Sequence, residues 1–173
     1  MANDITKNPI YINVVGVVMT TPLRIKKIVL APTATTSTAT LKFWIEDDSH
    51  ARTGSMIGAT TTASGGNDLA STDNFDDAVV TDAIKIYKSS TIYNVGTWEV
   101  ATVTSNDSIT VLPATLNNEA SSVYSWNIYP SYPLAILSTA TFPNAELDFG
   151  PDGLLVPNLM VTALTTGTLY IYL

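Results

Sequence analysis

Cysteine is absent from this chain, and basic residues are scarce. Without cysteine there is no disulfide, no thiolate zinc site and no cysteine nucleophile. Lysine and arginine together number 8 against 15 aspartates and glutamates, which makes the formal net charge −7 at pH 7. Proteins that bind phosphate backbones do so through clustered lysine and arginine, so this balance argues against a nucleic-acid partner. Acidic solubility is the simpler explanation of the charge.

Long hydrophobic runs are also missing. No window approaches the roughly 20 uninterrupted apolar residues of a membrane helix. The first residues, MANDITKN, are polar and do not form a basic run followed by an apolar stretch. We therefore expect neither a signal peptide nor a membrane helix, no membrane partner, and a soluble protein made without classical export.

What is present favours strands. Hydrophobic residues make up 46% of the 173 positions, enough for a real core in one ordinary domain or two small ones. Charged residues make up only 13%, while threonine is the commonest residue. Threonine, valine, isoleucine and tyrosine suit a pleated surface, whereas lysine, glutamate and arginine are what helices place on their wet faces. The composition therefore predicts an all-β protein.

The two ends of the chain carry the clearest strand patterns. Residues 9–48 contain three apolar runs separated by turn residues, namely PIYINVVGVV, LRIKKIVLAP and ATLKFWIEDD. Residues 130–173 contain several more. The closing stretch GLLVPNLMVTALTTGTLYIYL is interpreted as two strands of one buried sheet joined at residues 165–167, with Leu169, Ile171 and Leu173 on its buried face. We predict that residues 1–48 and 130–173 form one discontinuous antiparallel β-sandwich, jelly-roll-like in form.

The middle of the chain differs in composition. Residues 49–72 are rich in Ser, Thr, Gly and Ala with little periodicity, which predicts a linker or long loop. Residues 73–129 contain four or five short strand patterns with tight turns, which predicts an inserted small β-barrel, because closure removes exposed sheet edges. The best helical candidate is NFDDAVVTDAIKIY, where Asp76 and Asp77 could favour a helix N-terminus, and one helical turn is plausible there.

The outer blocks resemble small all-β virion proteins of tailed bacteriophages. The resemblance is carried by NPIYI near the start, by the following PLRIKKIVL and by the final GLLVPNLMVTALTTGTLYIYL. The middle block looks like the small barrels inserted in many phage structural proteins. The residues that match this second pattern are Asn94, Gly96, Trp98, Val100, Val103, Ile109, Val111, Leu116, Glu119 and Tyr124.

The resemblance implies a virion component, and the size and two-part build look most like a capsid cement or decoration protein. It further implies a homotrimer on the outer capsid surface, synthesised in the host cytoplasm, with the major capsid protein as its partner. A head–tail or tail accessory protein is the alternative within this class. A glycan-binding module is the alternative from another class.

Two sets of residues are candidate contacts with such a partner. The polar arm of residues 2–8 is predicted to be free to order against a neighbour. Arg24, Lys26 and Lys27 form the only basic cluster. Gatekeeping of an edge strand against aggregation is the structural explanation of that cluster, and contact with an acidic subunit is the functional one. The interface candidates are Asn3, Ile5, Lys7, Arg24 and Lys26.

Other constellations carry weaker signals. His50 beside Asp47, Asp48 and Ser49 lacks the framework of a catalytic triad, so a solvated strand end is the simpler interpretation. The acidic residues of 68–82 do not have the spacing of a calcium-binding EF-hand, so a solvated acidic loop is favoured. We assign no catalytic, cofactor or metal residue and expect a non-enzymatic protein without a cofactor.

The aromatic residues are the remaining candidate for a binding site. Trp44, Trp98 and Trp126, with the tyrosines at 124, 129 and 132, could form a carbohydrate platform or pack in ordinary β cores. The position of Trp98 and Trp126 on barrel strands favours core packing.

Overall fold

The chain folds almost entirely into β-strands. A computed structural model describes residues 3–34, 36–46, 52–55, 68–70, 75, 78–88, 94–113, 116, 125–139 and 144–173. These residues contain no α-helix, and the prediction of an all-β protein is confirmed. The strands are β1 Ile10–Ile12, β2 Gly16–Met19, β3 Leu23–Ile25, β4 Lys27–Pro32, β5 Ser37–Trp44, β6 Arg52–Ser55, β7 Asp68–Ala70, β8 Ala83–Lys88, β9 Gly96–Ser105, β10 Ser108–Leu112, β11 Ser125–Tyr129, β12 Ser131–Thr139, β13 Ala145–Asp148, β14 Leu154–Val156, β15 Leu159–Thr165 and β16 Gly167–Tyr172.

The strands are divided between two compact units. Met1–Phe43 and Tyr132–Leu173 together form one, which we call the terminal unit. Trp44–Ser131 form the other, which we call the central unit. The terminal unit is therefore discontinuous in sequence, because both ends of the chain contribute to it.

The terminal unit is built on two four-stranded sheets. Their strand orders are β1-β16-β4-β13 and β12-β5-β15-β2, and β14 pairs with β3 in a separate two-stranded ladder. Side chains from both sheets form one buried cluster, as in a β-sandwich. Its members include Ile10, Ile12, Ile28, Leu30, Ala39, Leu41, Leu137, Leu159, Val161, Leu169 and Ile171. The predicted alternation holds for Leu169 and Ile171, whereas Leu173 is exposed.

The closing pair of strands corrects one sequence prediction. We predicted that both strands lie in one sheet, but β15 pairs with β2 and β5, whereas β16 pairs with β1 and β4. The chain turns sharply at Thr166, whose φ is 37°. The Thr166 hydroxyl donates to the Thr36 carbonyl oxygen at 2.7 Å, and the hydroxyl of Ser37 donates to the Thr166 carbonyl. These contacts stabilise a corner between sheets, which alternation of apolar residues cannot distinguish from a hairpin.

The central unit is a six-stranded sheet of order β6-β11-β8-β9-β10-β7. One face carries its core: Leu69, Phe75, Ile84, Ile86, Trp98, Val100, Ile109, Val111, Leu116, Trp126 and Ile128. The predicted closed barrel is not confirmed, because closure would pair β6 with β7 and the described residues show no such pairing. Most matching residues of the barrel pattern are buried, while Glu119 and Tyr124 lie outside the described residues.

The predicted linker, residues 49–72, contains two strands. Arg52–Ser55 pairs with β11, and Asp68–Ala70 pairs with β10. Both are edge strands of the sheet. An edge strand forms backbone hydrogen bonds with one neighbour only, and these two form with little apolar alternation in their sequence. Loop composition therefore failed to reveal them, and the rest of 49–72 lies outside the described residues.

The candidate helical turn is also absent from the described residues of its segment. Residues 80 and 81 form a turn, with Thr81 at a φ of 77°, and β8 follows directly. Pairing of β8 with both β9 and β11 outweighs the weak helical pattern. Asp76 and Asp77 lie outside the described residues.

Candidate docking surface

The N-terminal arm is held against its own sandwich. The backbones of Asp4 and Tyr11 exchange hydrogen bonds of 2.8 and 2.9 Å. The Asn3 carbonyl oxygen Oδ1 accepts from the backbone N–H groups of Asn13 and Val14 at 2.9 and 3.0 Å. The prediction of a free arm is therefore wrong from Asn3 onward, because short amide and carboxylate side chains bind nearby backbone groups. Ala2 lies outside the described residues.

The remaining arm residues differ in their exposure. Ile5 is exposed, and the Lys7 amine lies 3.0 Å from the Asp4 carboxylate. This contact, with hydrogen bonds from Thr6, lowers the pKa of Asp4. The Asn8 amide binds both backbone groups of Leu173, at 3.1 and 3.2 Å. Ile5 and Lys7 thus remain surface candidates, whereas Asn3 has a structural role.

The three basic residues do not share one environment. Lys27 lies on β4, which is an interior strand between β16 and β13, so the edge-strand explanation is wrong for it. Its amine lies 2.7 Å from the Glu146 carboxylate, and this hydrogen bond raises the pKa of Lys27. The Lys26 amine donates to the Leu173 carbonyl at 3.3 Å. Both cations are therefore already engaged within the terminal unit.

Arg24 is placed differently. It lies on β3 directly opposite Leu155 of β14, so the two side chains share one face of this ladder, and both are exposed. The Arg24 Nη1 donates to the Asp152 backbone oxygen at 2.7 Å, and Arg24 forms no ion pair within the described part of the chain. A guanidinium has five N–H donors, so most of its hydrogen-bonding capacity remains.

An apolar pocket opens beside this ladder. Its volume is about 120 Å³. The residues that line it are Phe43, Leu134, Leu154, Leu155, Val156 and Pro157. The Phe43 ring is supported by Tyr132, with ring centroids 5.6 Å apart. We call the set of Arg24 and these six lining residues the docking surface.

The sequence suggested Arg24 but not the pocket. Leu155 and Phe43 stand more than 100 positions apart in the printed sequence, so no local pattern brings them together. The one available signal was the Leu154–Leu155 pair, because consecutive leucines cannot both face the core of a strand.

The tryptophans do not form the carbohydrate platform that was the alternative to core packing. Trp44, Trp98 and Trp126 are buried, as is Tyr129. Tyr132 is half-buried against Phe43, and Tyr124 lies outside the described residues. Core packing, the interpretation favoured for Trp98 and Trp126, agrees with this burial.

A different aromatic residue is exposed on the central unit. Tyr87 is 45% exposed, and its hydroxyl contacts the Tyr129 hydroxyl. The Asn127 amide donates to both hydroxyls, at 3.2 and 3.1 Å. Partial burial, and then the hydrogen bond with Tyr129, raise the pKa of Tyr87. The Lys85 amine lies 5.4 Å from the Tyr87 ring centroid and pairs with the Glu46 carboxylate.

The acidic residues of 68–82 do not form a metal site among the residues that the structure describes. Asp82 is 5% exposed, and its carboxylate accepts from the N–H groups of Val79 and Ser131 at 3.1 and 3.4 Å. The solvated-loop interpretation is therefore wrong for Asp82, which stabilises a turn. Asp73, Asp76 and Asp77 lie outside the described residues, as do residues 47–50 with His50. Within the described ranges, no three potential ligands cluster as a metal site would require.

Comparisons with known proteins add no relative. No family model, curated protein or solved structure matches the chain. Among the residues that the structure describes, no helix has the length and apolar character needed to cross a membrane.

Proposed function

We propose that this chain is a non-enzymatic structural protein of a tailed-phage virion, a cement or decoration protein that binds the outside of the assembled capsid. It stabilises contacts between major capsid subunits and acts as a homotrimer. The sequence resemblance of its outer blocks supports this proposal. The structural observation that supports it best is the docking surface, where the exposed Leu154 and Leu155 line an apolar pocket and Arg24, which forms no ion pair among the described residues, lies opposite Leu155.

The mechanism is repeated surface burial rather than chemistry. Burial of one leucine side chain contributes about 1.5–3 kcal/mol. One such contact is weak, but linked copies bind with an effective concentration that raises avidity by about 10²–10⁴. A trimer that places three docking surfaces on neighbouring capsid subunits therefore stabilises the shell, because the shell cannot open without breaking all three contacts.

Co-sedimentation tests this function. The purified chain is mixed with assembled capsids of the encoding phage that lack it, and with free capsid protein. We expect saturable binding to the capsids alone, and a trimeric mass in solution. If the chain does not bind capsids but binds purified tails, it is a tail accessory protein. If it binds neither, the virion proposal is contradicted.

Glycan binding is a second candidate, because the exposed ring of Tyr87 lies among polar groups. Hydrogen bonds to Tyr129 and Asn127 hold the Tyr87 hydroxyl, and the Lys85–Glu46 pair provides a donor and an acceptor nearby. A rigid ring beside polar groups is a typical feature of small-ligand sites.

Glycan-array binding separates this candidate from the first. If the chain binds glycans, Tyr87→Ala should reduce the signal at least about tenfold, a loss of roughly 1.4 kcal/mol. Tyr172→Ala is the matched control, since Tyr172 is 39% exposed and lies in the terminal unit. Equal signals from both variants, or no signal from the unmodified chain, contradict a glycan site at Tyr87.

A further inference from the structure

The size of the pocket in the docking surface limits what it can hold. Pockets for drug-sized ligands and cofactors occupy about 300–1,000 Å³, whereas this one occupies about 120 Å³. Its six lining residues are all apolar: three leucines, a valine, a proline and a phenylalanine. A pocket of this size and lining suits one apolar side chain of a protein partner.

The rim of the pocket is held in a fixed shape. Gly153 precedes β14 with a φ of +64°, and its N–H donates to the Gly150 carbonyl at 3.2 Å. The buried side chain of Val156 anchors the other end of β14 in the core. The bond from Arg24 to the Asp152 backbone oxygen fixes the guanidinium beside the same turn. A partner therefore meets a preorganised surface and loses little binding free energy to ordering it.

Charge selects the kind of segment that fits. Lys27 is paired with Glu146 and the Lys26 amine donates to the Leu173 carbonyl, whereas Arg24 is the cation that the β3–β14 ladder places opposite Leu155 of the pocket lining. The net charge of −7 would repel an acidic partner at long range. At physiological salt, however, exposed charges are screened beyond about 8 Å, so the nearest cation decides the local interaction. A carboxylate beside the pocket would meet Arg24 in bidentate geometry.

We infer that the docking surface binds a short acidic–apolar segment of the capsid protein. One apolar side chain of that segment fills the pocket, and a carboxylate within two residues of it pairs with Arg24. The spacing follows from the ladder, because Arg24 and Leu155 are direct cross-strand neighbours about 5 Å apart at Cβ, less than the span of two extended residues. This inference rests on the proposed function and names the partner of the same surface.

Matched variants test the inference by co-sedimentation with capsids. Leu155→Asp places a charge at the pocket rim, and Arg24→Glu reverses the charge beside it. Both residues are exposed, so folding should be preserved, and circular dichroism with thermal unfolding checks this. The control is Ile136→Asp, because Ile136 is a 71% exposed apolar residue that does not line the pocket.

We expect Leu155→Asp and Arg24→Glu each to weaken capsid binding at least tenfold, and Ile136→Asp to change it less than twofold. Binding of the unmodified chain should weaken with added salt, and Arg24→Ala should flatten that dependence, because one ion pair is lost. A photocrosslinking residue in place of Leu155 should label a capsid peptide with an aspartate or glutamate within two positions of an apolar residue.

The outcomes separate the two levels of the proposal. If the unmodified chain binds capsids and both variants bind equally well, the docking inference is overturned while the cement function stands. If only Leu155→Asp weakens binding, or the labelled peptide has no carboxylate, the acidic part of the inference is overturned. An equal loss in Ile136→Asp overturns the assignment to this surface. If the unmodified chain does not bind capsids, the proposed function is wrong, and the docking inference with it.

Discussion

Single residues at turns decide how the docking surface is shaped. Gly153 has a φ of +64°, and a Cβ atom there would lie 2.8 Å from the Ile25 carbonyl oxygen and 3.0 Å from Arg24 Cγ. Gly150 has a φ of +76°, but a Cβ atom there would meet nothing within 4 Å. The two glycines thus separate backbone strain from steric contact. Only Gly153 combines both, because β3 passes directly behind it.

Alanine at each position measures the two effects. Gly150→Ala should lower the free energy of unfolding by about 1 kcal/mol, the usual penalty for a side chain in left-handed backbone. Gly153→Ala should cost about 2–3 kcal/mol, since Arg24 and the Ile25 carbonyl must also shift. Urea unfolding followed by circular dichroism measures both. Equal losses would mean that the close approach of β3 is not a constraint.

At the scale of elements, we identified strand patterns in the sequence but mispredicted which sheet the strands join. The first predicted run, PIYINVVGVV, became two strands in different sheets, β1 and β2. The break falls at Asn13 and Val14, whose N–H groups donate to the Asn3 side chain, and at Gly16, whose φ is 121°. The N-terminal arm, which we predicted to be free, therefore stabilises the segment in which the chain passes from one sheet to the other.

Removal of the Asn3 side chain should loosen this crossing. Asn3→Ala leaves two backbone donors without an acceptor, and we expect a loss of about 1–2 kcal/mol in unfolding free energy. Amide hydrogen exchange at Asn13 and Val14 should become faster than in the unmodified chain. Ile5→Ala is the control, because Ile5 is exposed on the same arm. Unchanged exchange in Asn3→Ala would show that the arm does not stabilise the crossing.

The whole molecule consists of a terminal unit and a central unit, each with its own buried cluster. A unit with its own core can fold alone. The terminal unit is interrupted between Phe43 and Tyr132, and the rings of these two residues lie 5.6 Å apart at their centroids. A short linker is therefore sufficient to close the gap.

Deletion of residues 44–131, with a Gly-Ser linker of about four residues joining Phe43 to Tyr132, tests this independence, since flexible linkers span about 5–6 Å × √n. We expect a β-sheet circular dichroism spectrum and cooperative thermal unfolding. If the proposed function is right, the shortened chain should also keep its capsid binding, because the docking surface lies wholly in the terminal unit. An unfolded product would contradict the independence of the two units.

The docking surface itself was only partly predictable. Arg24 stood out in the sequence because cations are rare in this chain, and its exposure agrees with that interpretation. Lys26 and Lys27 stood out for the same reason, yet their amines are engaged by Leu173 and Glu146. The scarcity of basic residues makes each one a candidate, but the contacts that it forms come from strands that are distant in sequence.

By itself, the sequence determined the all-β class, because that depends on composition and on period-two alternation, which are local properties. It also showed which residues belong to buried faces, such as Leu169 and Ile171. Only the tertiary structure decided that β15 and β16 enter different sheets and that the loop-like residues 49–72 contain edge strands. It also decided that Leu155 and Phe43 line one pocket, with Arg24 opposite Leu155. The physical reason is that backbone hydrogen bonds and packing between distant segments determine which strands pair. Side-chain alternation along one strand does not indicate the strand with which it pairs.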